Sequence, residues 1–580
     1  MTTSSIIGPS DPARNMWEMA LGEFLAAAVR RNPGQVFVEI SGQGITYQEF
    51  QQRVEHTAAM FHALGVGHGD RVCLFLPNCP EFLDCWFGLS LLGAVTVPVN
   101  TGYKRDETAY ILNNSGAVAL VAHQSLEPVA RAAADLAPAI KDGRHRLLVG
   151  GDAPISPGHS GADDARDDGW TGFAQALAGV KIPPNPPLRK GGTFLPPFVK
   201  GGWGDFSPQV SPQDLSMLVY TSGTTGDPKG VQVTHSMYVA AGQGFAHWTR
   251  ATPQDRFFTC LPYFHANAQY YSTMGALAVG ATLVVADRFS ASRFWDQVRE
   301  ARATVVNFIG MMLPVLAKQP PSPLDARSGV RLFYGSPAFP PEFLQAFQER
   351  FGTDIIVGFG MTETCFGTIE RLGQPRRAGS SGQYRQHPDP RFHNEIRIVD
   401  PETGEPLGVN APGEITIQNP AMTPCYWRNP EQTRQALRDG WLFTGDLGWL
   451  DEDGFLYFVD RKKDVIRRRG ENISSQQVEE IVKRHPAVLD CAALAVPSEL
   501  GEDDVKVYVM PRPGVALKPE EVVHWCAQHL AYFKVPRYVE LRDDLPRTPS
   551  LRVRKDLLRQ ERPDLTQGCF DREKAGIRLR

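Results

Sequence analysis

The sequence predicts an α/β fold with a large amino-terminal domain, in which helices cover mixed and parallel sheets, and a small α+β domain at the carboxyl end. Three observations support this prediction: the length of 580 residues, the alternation of helical and strand-like segments in the first half, and a change of pattern near residue 460. A chain this long exceeds what one hydrophobic core can organise, so at least two domains are expected. Strands that alternate with helices form parallel sheets covered by helices.

The helices of the first half are predicted from apolar residues spaced three and four positions apart, and the strands from short apolar runs. Thr46 is a suitable N-cap for one helix. Pro80 fits the first turn of another, where its missing N–H removes no hydrogen bond. Predicted helices cover residues 21–31, 46–64 and 80–92, and predicted strands cover 37–40, 71–76, 95–99 and 117–122.

The second domain is predicted from a hairpin and a helix start. Residues 451–454 read Asp-Glu-Asp-Gly and form a turn between two apolar runs. Ser474 and Gln477 form a capping box for the helix that follows. We therefore divide the chain into a disordered amino terminus (1–15), an amino-terminal domain (16–459), a hinge (460–463), a carboxyl-terminal domain (464–560) and a flexible tail (561–580).

One segment, residues 182–207, interrupts the alternation. It contains the repeat Pro-Pro-Leu-Arg-Lys-Gly-Gly at 186–192 and Pro-Pro-Phe-Val-Lys-Gly-Gly at 196–202. Such a density of proline and glycine cannot propagate a helix or a sheet. We predict a poorly ordered surface insertion without a catalytic role, because loops accept insertions at small cost. The alternative is a binding segment that exposes Phe194, Phe198 and Trp203.

Composition narrows the classes of function. The net charge of −4 argues against general nucleic-acid binding, which usually requires a basic domain. The nine cysteines include no CxxC pair, which favours reduced thiols in the cytoplasm over a disulfide framework or a zinc site. The longest uncharged apolar stretch, residues 86–99, is shorter than the roughly 20 residues that span a bilayer. We predict a cytoplasmic protein without a transmembrane segment; peripheral membrane contact is compatible with the sequence, which does not indicate an oligomeric state.

The most informative motif is a loop that follows the predicted strand at 215–220. Glycines let backbone N–H groups approach a polyanion, hydroxyls add donors, and a lysine neutralises charge. The loop differs from the common P-loop, in which the lysine opens a helix, because Pro228 precedes Lys229. We interpret it as a cradle for nucleotide phosphates, since a flexible linker would need no flanking strand. The loop consists of Thr221, Ser222, Gly223, Thr224, Thr225, Gly226, Asp227, Pro228 and Lys229.

This loop and three later motifs resemble the signature of the adenylate-forming superfamily, which contains acyl-CoA synthetases, peptide-synthetase adenylation domains and firefly-type luciferases. The motifs occur in the order of that family and span about residues 21–559. The resemblance implies a small β-barrel-like part in the large domain and a mobile carboxyl-terminal domain. The later motifs are Gly-Phe-Gly-Met-Thr-Glu-Thr at 358–364, Gly-Trp-Leu-Phe-Thr-Gly-Asp at 440–446, and Asp-Arg-Lys-Lys-Asp at 460–464 followed by Arg-Gly-Glu-Asn-Ile at 469–473.

The resemblance also implies a role for each motif. Residues 221–226 and Lys229 would hold the β- and γ-phosphates of ATP. Other residues would complete the nucleotide-binding site. They are Gly335 and Ser336 beside adenine, Gly358, Thr362 at the α-phosphate, Glu363 on Mg²⁺, and Asp446 with Arg461 at the ribose. Lys463 corresponds to the hinge pivot and Gly470 to the pantetheine tunnel of coenzyme A. Outside this context Glu363 reads as a helix-start acid, Asp446 as a turn cap, and the basic run 461–469 as a solvated face or nucleic-acid patch.

Two further residues follow from the resemblance. His265 matches a family histidine between the acyl pocket and the adenylate, where it would shape the site rather than transfer a proton; the alternative is an ordinary half-buried histidine. Arg552 stands where the family has a catalytic lysine, and a guanidinium is not equivalent to an ammonium group. Lys555 lies three residues further on. Three outcomes remain open: Arg552 supports adenylation normally, adenylation is slow, or the protein is a degenerate member of the family.

We predict an ATP-dependent, AMP-forming carboxylic acid–CoA ligase that uses ATP, Mg²⁺ and coenzyme A and first forms an acyl-adenylate. The alternative is a nucleotide-binding or regulatory member with weakened adenylation. The run Arg-Arg-Arg-Gly-Glu-Asn-Ile-Ser at 467–474 resembles the subgroup of crotonobetaine/carnitine-CoA ligases. No aspartate occurs at 245–248, so a substrate other than an amino acid is expected. Candidates for the acyl pocket are His265, Ala266, Asn267, Ile309, Gly310, Met311 and Phe359.

Overall fold

The computed structural model separates by contact density into two compact units. The first contains most of the chain up to Glu395 together with Gln418–Gly440, and the second contains Ile396–Ile417 and Trp441–Arg580. The predicted disordered residues 1–14 and the predicted insertion 182–207 lie outside the described residues. The structure describes residues 15, 17–140, 145–150, 169–180, 210–221, 228–310, 312–336, 338–461, 464–468, 471–498, 503–530, 532–548 and 552–579.

One sheet of the first unit has seven strands among the described residues. They are β3 (Arg71–Phe75), β4 (Val95–Pro98), β5 (Ala119–His123), β6 (Arg146–Val149), β7 (Thr171–Gly172), β8 (Leu215–Thr221) and β9 (Lys229–Thr234). Their order is β7-β6-β5-β3-β4-β8-β9, and neighbours are parallel except for the last pair. The antiparallel turn from β8 to β9 therefore carries the predicted phosphate loop.

A second sheet places the next motif. In the described part of the chain it has nine strands, in the order β16-β15-β14-β13-β12-β10-β11-β1-β2, parallel from β1 to β14 and antiparallel at both ends. The parallel strands β12, β13 and β14 end at one edge, where open α/β sheets bind ligands. The strands are β1 (Val36–Ile40), β2 (Gln43–Thr46), β10 (Arg256–Thr259), β11 (Thr282–Val285), β12 (Val305–Ile309), β13 (Leu332–Ser336), β14 (Asp354–Met361), β15 (Thr364–Ile369) and β16 (Gln383–Tyr384).

The helices of the first unit cover these sheets, and the predicted starts are confirmed. Thr46 caps its helix, since its hydroxyl accepts from Glu49 N–H while the Glu49 carboxylate accepts from Thr46 N–H at 2.8 Å. Of all the helices placed in the structure, none has the length and apolar character that crossing a membrane requires. A short strand, β19 (Leu437–Arg438), follows the last helix. The helices are α1 (Leu21–Arg31), α2 (Tyr47–Ala63), α3 (Pro80–Leu91), α4 (Arg105–Ser115), α5 (Glu127–Ala134), α6 (Phe173–Ala178), α7 (His235–Trp248), α8 (Met274–Val279), α9 (Phe294–Glu300), α10 (Met312–Ala317), α11 (Pro341–Phe351) and α12 (Pro430–Ala436).

The second unit combines a hairpin sheet with the predicted α+β elements. Leu450 pairs with Leu456 across the predicted turn. The Asp460 carboxylate accepts from the Ser475 hydroxyl at 2.7 Å and from Gln476 N–H at 3.3 Å, so it stabilises a helix start. Its elements are β17 (Glu395–Val399), β18 (Gly413–Gln418), β20 (Trp441–Leu450), β21 (Leu456–Arg461), β22 (Ile466–Arg468), β23 (Glu471–Ile473), α13 (Ser475–Lys483), β24 (Val488–Pro497), β25 (Asp503–Pro511), α14 (Pro519–His529), β26 (Tyr538–Leu541), α15 (Lys555–Gln560) and β27 (Phe570–Asp571).

Two features of this unit were not expected from the sequence. The hairpin sheet clusters with the carboxyl-terminal elements, so the compact unit begins before residue 460, where the domain boundary stays a prediction. The predicted flexible tail contains β27, which pairs antiparallel with β26. Arg537 donates to Asp504 at 2.8 Å and to Asp571 at 3.3 Å. The charged tail packs because its charges meet opposite charges from distant segments, which the local sequence does not reveal.

We expect the stability of the first unit to fall as the pH is lowered from 7 to 5, in part through His235. This histidine is fully buried at the start of α7, and its Nδ1 accepts from Leu21 N–H at 3.3 Å. Burial lowers its pKa to about 4, whereas the unfolded chain binds a proton near its ordinary value. Because the unfolded state binds more protons in this window, stability is lost as pH falls, by about 2 kcal/mol from this residue.

Urea unfolding at pH 7 and pH 5 would measure this loss. The His235→Asn variant, which keeps an acceptor near the Nδ1 position, should lose less stability over the same interval. An equal loss in both proteins would contradict the assignment to His235.

Candidate functional site

The two ends of the predicted phosphate loop are held together by the sheet. Thr221 ends β8 and Lys229 begins β9, and the two residues are direct partners in the antiparallel register. The loop residues Ser222, Gly223, Thr224, Thr225 and Gly226 lie outside the described residues. The register nevertheless fixes where the loop leaves and re-enters the sheet.

The Lys229 side chain is half-buried and oriented by residues far away in sequence. Its Nζ donates to Oε1 of Gln432 at 2.5 Å and lies 5.8 Å from the centre of the Tyr426 ring. Burial lowers the pKa of Lys229, and the negative charge of Glu363 opposes that shift. The arrangement presents one ammonium group near one carboxylate, as binding of a phosphate chain with a metal ion requires.

Glu363 lies in the tight turn between β14 and β15, so its reading as a helix-start acid is wrong. It is 7% exposed, and the Tyr426 phenol donates to its Oε1 at 2.8 Å. Burial, and next the charge of Glu363, raise the pKa of Tyr426, which keeps the phenol protonated as a donor. The neighbouring carbonyl of Thr362 accepts from the Tyr270 phenol at 3.0 Å. The phenols of Tyr426 and Tyr270 therefore both hold this turn in place, one through the Glu363 side chain and one through the Thr362 backbone.

A magnesium ion fits Glu363 only with additional ligands. Within the described residues, no group of three or more His, Cys, Asp and Glu side chains could hold a metal ion. Mg²⁺ commonly binds through one or two carboxylates together with substrate phosphates and water. Glu363 would supply one such carboxylate, and the remaining ligands would come from the nucleotide and from solvent.

Glycines let the strands at this edge approach each other closely. A Cβ on Gly335 would lie 2.0 Å from the carbonyl oxygen of Phe308, and a Cβ on Gly358 would lie 2.6 Å from that of Thr368. Ser336, which ends β13, is exposed. The geometry requires glycine at both positions, because an added Cβ would overlap a backbone carbonyl oxygen of the neighbouring strand.

The predicted histidine is held uncharged. The backbone N–H of His265 donates to the carbonyl oxygen of Pro262 at 3.0 Å. Burial lowers the pKa of the His265 imidazole to about 4. Its buried Nε2 has no hydrogen-bond partner among the residues described. At neutral pH this ring is therefore a neutral group with one unused polar atom.

An asparagine pair lies among the acyl-pocket candidates. Asn307 on β12 is buried, and its amide donates to Oδ1 of Asn267 at 2.7 Å. Its own Oδ1 has no partner in the described part of the chain. Ile309 and Gly310 follow on the same strand end, and Phe359 is buried on β14, whereas Met311 lies outside the described residues. Sequence reasoning did not identify Asn307, because a single asparagine in an apolar strand forms no motif.

In the second unit the predicted ribose-binding pair occupies adjacent strands. Asp446 on β20 is the register partner of Arg461 on β21. Gly445 has a φ of +72°, which favours glycine, and its N–H donates to Oε1 of Glu414 at 3.0 Å. Asp446 N–H donates to the Thr444 hydroxyl at 3.2 Å. Asp446 therefore lies on a strand whose backbone is irregular at Gly445, rather than in a simple turn.

The two candidate cations near the carboxyl end have different surroundings. Arg552 is exposed, and its backbone N–H donates to the Thr548 hydroxyl at 3.1 Å. Lys555 is engaged by α13, since its Nζ contacts Ser475 Oγ at 2.6 Å and Glu479 Oε1 at 2.7 Å. Arg552 is therefore the better placed of the two to meet a ligand. Lys463 and Gly470 lie outside the described residues.

The chain is similar to known proteins in sequence and in fold. The family model of the AMP-binding enzymes matches residues 25–427, and the model of the AMP-binding enzyme C-terminal domain matches residues 477–552. A crotonobetaine/carnitine–CoA ligase from Escherichia coli O8 is 36% identical over 525 residues, which cover 88% of this chain and 92% of that protein.

Solved structures show the same fold. ATP-bound MatB from Rhodopseudomonas palustris is 25% identical, with a TM-score of 0.77 over 94% of this chain and 100% of that chain. The anthranilate CoA ligase AuaEII in complex with anthranoyl-AMP is 23% identical, with a TM-score of 0.79 over 94% of this chain and 97% of that chain. The latter likeness supports the fold alone.

Proposed function

Because the chain belongs to the family of AMP-binding enzymes, we propose that it is an AMP-forming carboxylic acid–CoA ligase. In the first step a carboxylate oxygen attacks the α-phosphorus of ATP, and pyrophosphate leaves. In the second step the coenzyme A thiolate attacks the acyl carbon of the adenylate, and AMP leaves. The products are a thioester, AMP and pyrophosphate.

The observation that carries the proposal is the linked set of Lys229, Tyr426, Gln432 and Glu363 at the phosphate loop. Positive charge and oriented donors stabilise the charge that develops on the transferring phosphorus. Lys229 would neutralise the outer phosphates, and a metal ion at Glu363 would polarise phosphate oxygens. His265, which is uncharged, would shape the seat of the carboxylate rather than move a proton.

The second unit would complete the two steps. Asp446 would accept the ribose hydroxyls, and Arg552 would supply the charge that the family places there as lysine. We retain the prediction of a hinge at 460–463, about which the carboxyl-terminal domain (464–560) would turn between the two reactions. The alternative of weakened adenylation gains no support from the relatives, which are named as ligases. The proposal includes a cytoplasmic location, supported by nine free thiols.

A two-part assay tests this function. Purified protein should release AMP only when ATP, Mg²⁺, coenzyme A and a suitable acid are all present. Without coenzyme A, the same acid should drive exchange of labelled pyrophosphate into ATP. A protein that is stabilised by ATP yet gives neither product with a broad panel of mono- and dicarboxylic acids would contradict the proposal.

A further inference from the structure

Arg385, which follows β16 in the first unit, is a buried cation whose contacts are all neutral. The side chain belongs to a residue that is 2% exposed. Its Nε donates to Thr368 O at 2.9 Å, and its Nη2 donates to the Tyr334 phenol at 2.7 Å. Its Nη1 donates to the Tyr271 phenol at 2.5 Å and also to Cys365 O. The centres of the Trp248 and Tyr271 rings lie 4.9 and 5.2 Å from the guanidinium carbon.

The side chains that surround Arg385 in the described part of the chain provide no counter-ion. Burial raises the pKa of Tyr271 and of Tyr334, so both are neutral phenols at pH 7. Burial likewise raises the pKa of the Cys365 thiol. Arg385 makes no ion pair with a carboxylate in the described residues, unlike Arg376, whose Nε lies 2.7 Å from Glu370. A buried charge without a partner of opposite sign is costly, which makes this site a candidate for a ligand anion.

Within the described residues, one N–H of Arg385 also has no acceptor. The guanidinium of Arg385 has five N–H groups, and the contacts described above supply four acceptors. The remaining N–H is on Nη2, next to two glycines of β14. A Cβ on Gly358 would lie 3.0 Å from Nη2, and a Cβ on Gly360 would lie 3.2 Å from Nη1 and 3.3 Å from Nη2. Gly360 is exposed, so the guanidinium is covered there by a residue without a side chain.

Arg385 lies close to the proposed reaction site along two connections. Gly360 precedes Glu363 by three residues, which limits the separation of their Cα atoms to at most about 10 Å. Tyr271, which contacts Arg385, directly follows Tyr270, which donates to the carbonyl of Thr362. Arg385 is therefore connected to the turn that would handle the adenylate both through β14 and through the pair Tyr270 and Tyr271.

We propose that the acid carries a second carboxylate, which pairs with the guanidinium of Arg385 while the first carboxylate is activated. The inference rests on the proposed ligase function and assigns its substrate class. A dicarboxylic acid supplies the anion that the buried cation lacks. An acid with a quaternary ammonium group, such as carnitine, would bring a second cation to the same place and is expected to be a poor substrate.

The test compares matched acids by kcat/KM in acid-dependent pyrophosphate exchange. Succinate, glutarate, adipate and pimelate are each compared with the corresponding monomethyl ester, which has one carboxylate and a neutral far end. With the parent enzyme, at least one diacid should exceed its ester by about 10- to 100-fold, the range expected for a hydrogen bond to a charged group. This comparison decides the inference without any variant.

Variants identify the residue responsible. Arg385→Gln should reduce the diacid-to-ester ratio to near one, and Arg385→Lys should retain part of it. Arg350→Gln removes an arginine that pairs with Asp325 at 2.8 Å in the same unit, and should leave the ratio unchanged even if stability falls. Esters or carnitine used as well as diacids by the parent enzyme, or a ratio that survives Arg385→Gln, would overturn the inference while the ligase function stood. Absence of exchange with every acid would instead overturn the ligase function.

Discussion

We expect the Lys229→Ala variant to form acyl-adenylate about 100- to 1,000-fold more slowly than the parent enzyme, the loss typical of removing one group that stabilises transition-state charge. Lys229 is held in place by Gln432 at 2.5 Å, and Glu363 is held by Tyr426 at 2.8 Å. Truncation removes the only cation that these contacts orient in the described part of the phosphate loop. Acid-dependent pyrophosphate exchange measures the effect directly.

The second half-reaction supplies an internal control for this variant. Thioester formation from a synthetic acyl-adenylate should change much less, because pyrophosphate has already left. Lys229→Arg, which keeps the charge, should be intermediate, and Lys518→Ala, at an exposed lysine before α14, should be neutral. Equal losses in both half-reactions would point to misfolding or to a different role for the lysine.

The Gly335→Ala variant should destabilise the first unit by about 3 kcal/mol or more, because overpacking against a rigid neighbour has no easy relief. The added methyl group would lie 2.0 Å from the carbonyl oxygen of Phe308, a backbone atom of the neighbouring strand β12. Strands β12 and β13 would have to separate. A lower midpoint of thermal unfolding and a lower yield of soluble protein would report the change.

A matched glycine separates the steric effect from the loss of a glycine as such. Gly34 is exposed, has an ordinary φ, and has nothing within 4 Å of the position that a Cβ would take. Gly34→Ala should therefore leave the unfolding midpoint nearly unchanged. A stable Gly335→Ala protein would show that the two strands can move apart more easily than the structure indicates.

The sequence predicted the motif residues because each motif is continuous along the chain. Lys229, Glu363 and Asp446 could be recognised from their immediate neighbours. Tyr426 and Gln432 could not, since their contacts with Glu363 and Lys229 depend on how distant segments meet. The helix starts at Thr46 and Ser474 could also be predicted from neighbouring residues, because capping depends on residues three positions apart.

Charge pairing was the least predictable property. Arg385 in the sequence is one arginine in a polar stretch, and its isolation within neutral groups appears only when β14, β15 and β16 are assembled. The residues after 560 read as a solvated charged end, yet they supply Asp571 to Arg537. In both cases the free energy depends on partners that lie far apart in sequence.

The packed end of the chain has a practical consequence for expression. The ammonium group of Lys506, which is inaccessible to solvent, donates to Glu540 at 2.6 Å and to the carbonyl of Leu565 at 2.5 Å. A protein shortened to residue 560 would lose that carbonyl and would expose the free edge of β26 to pairing with other molecules. Truncated versions should therefore be checked for aggregation before any loss of activity is assigned to chemistry.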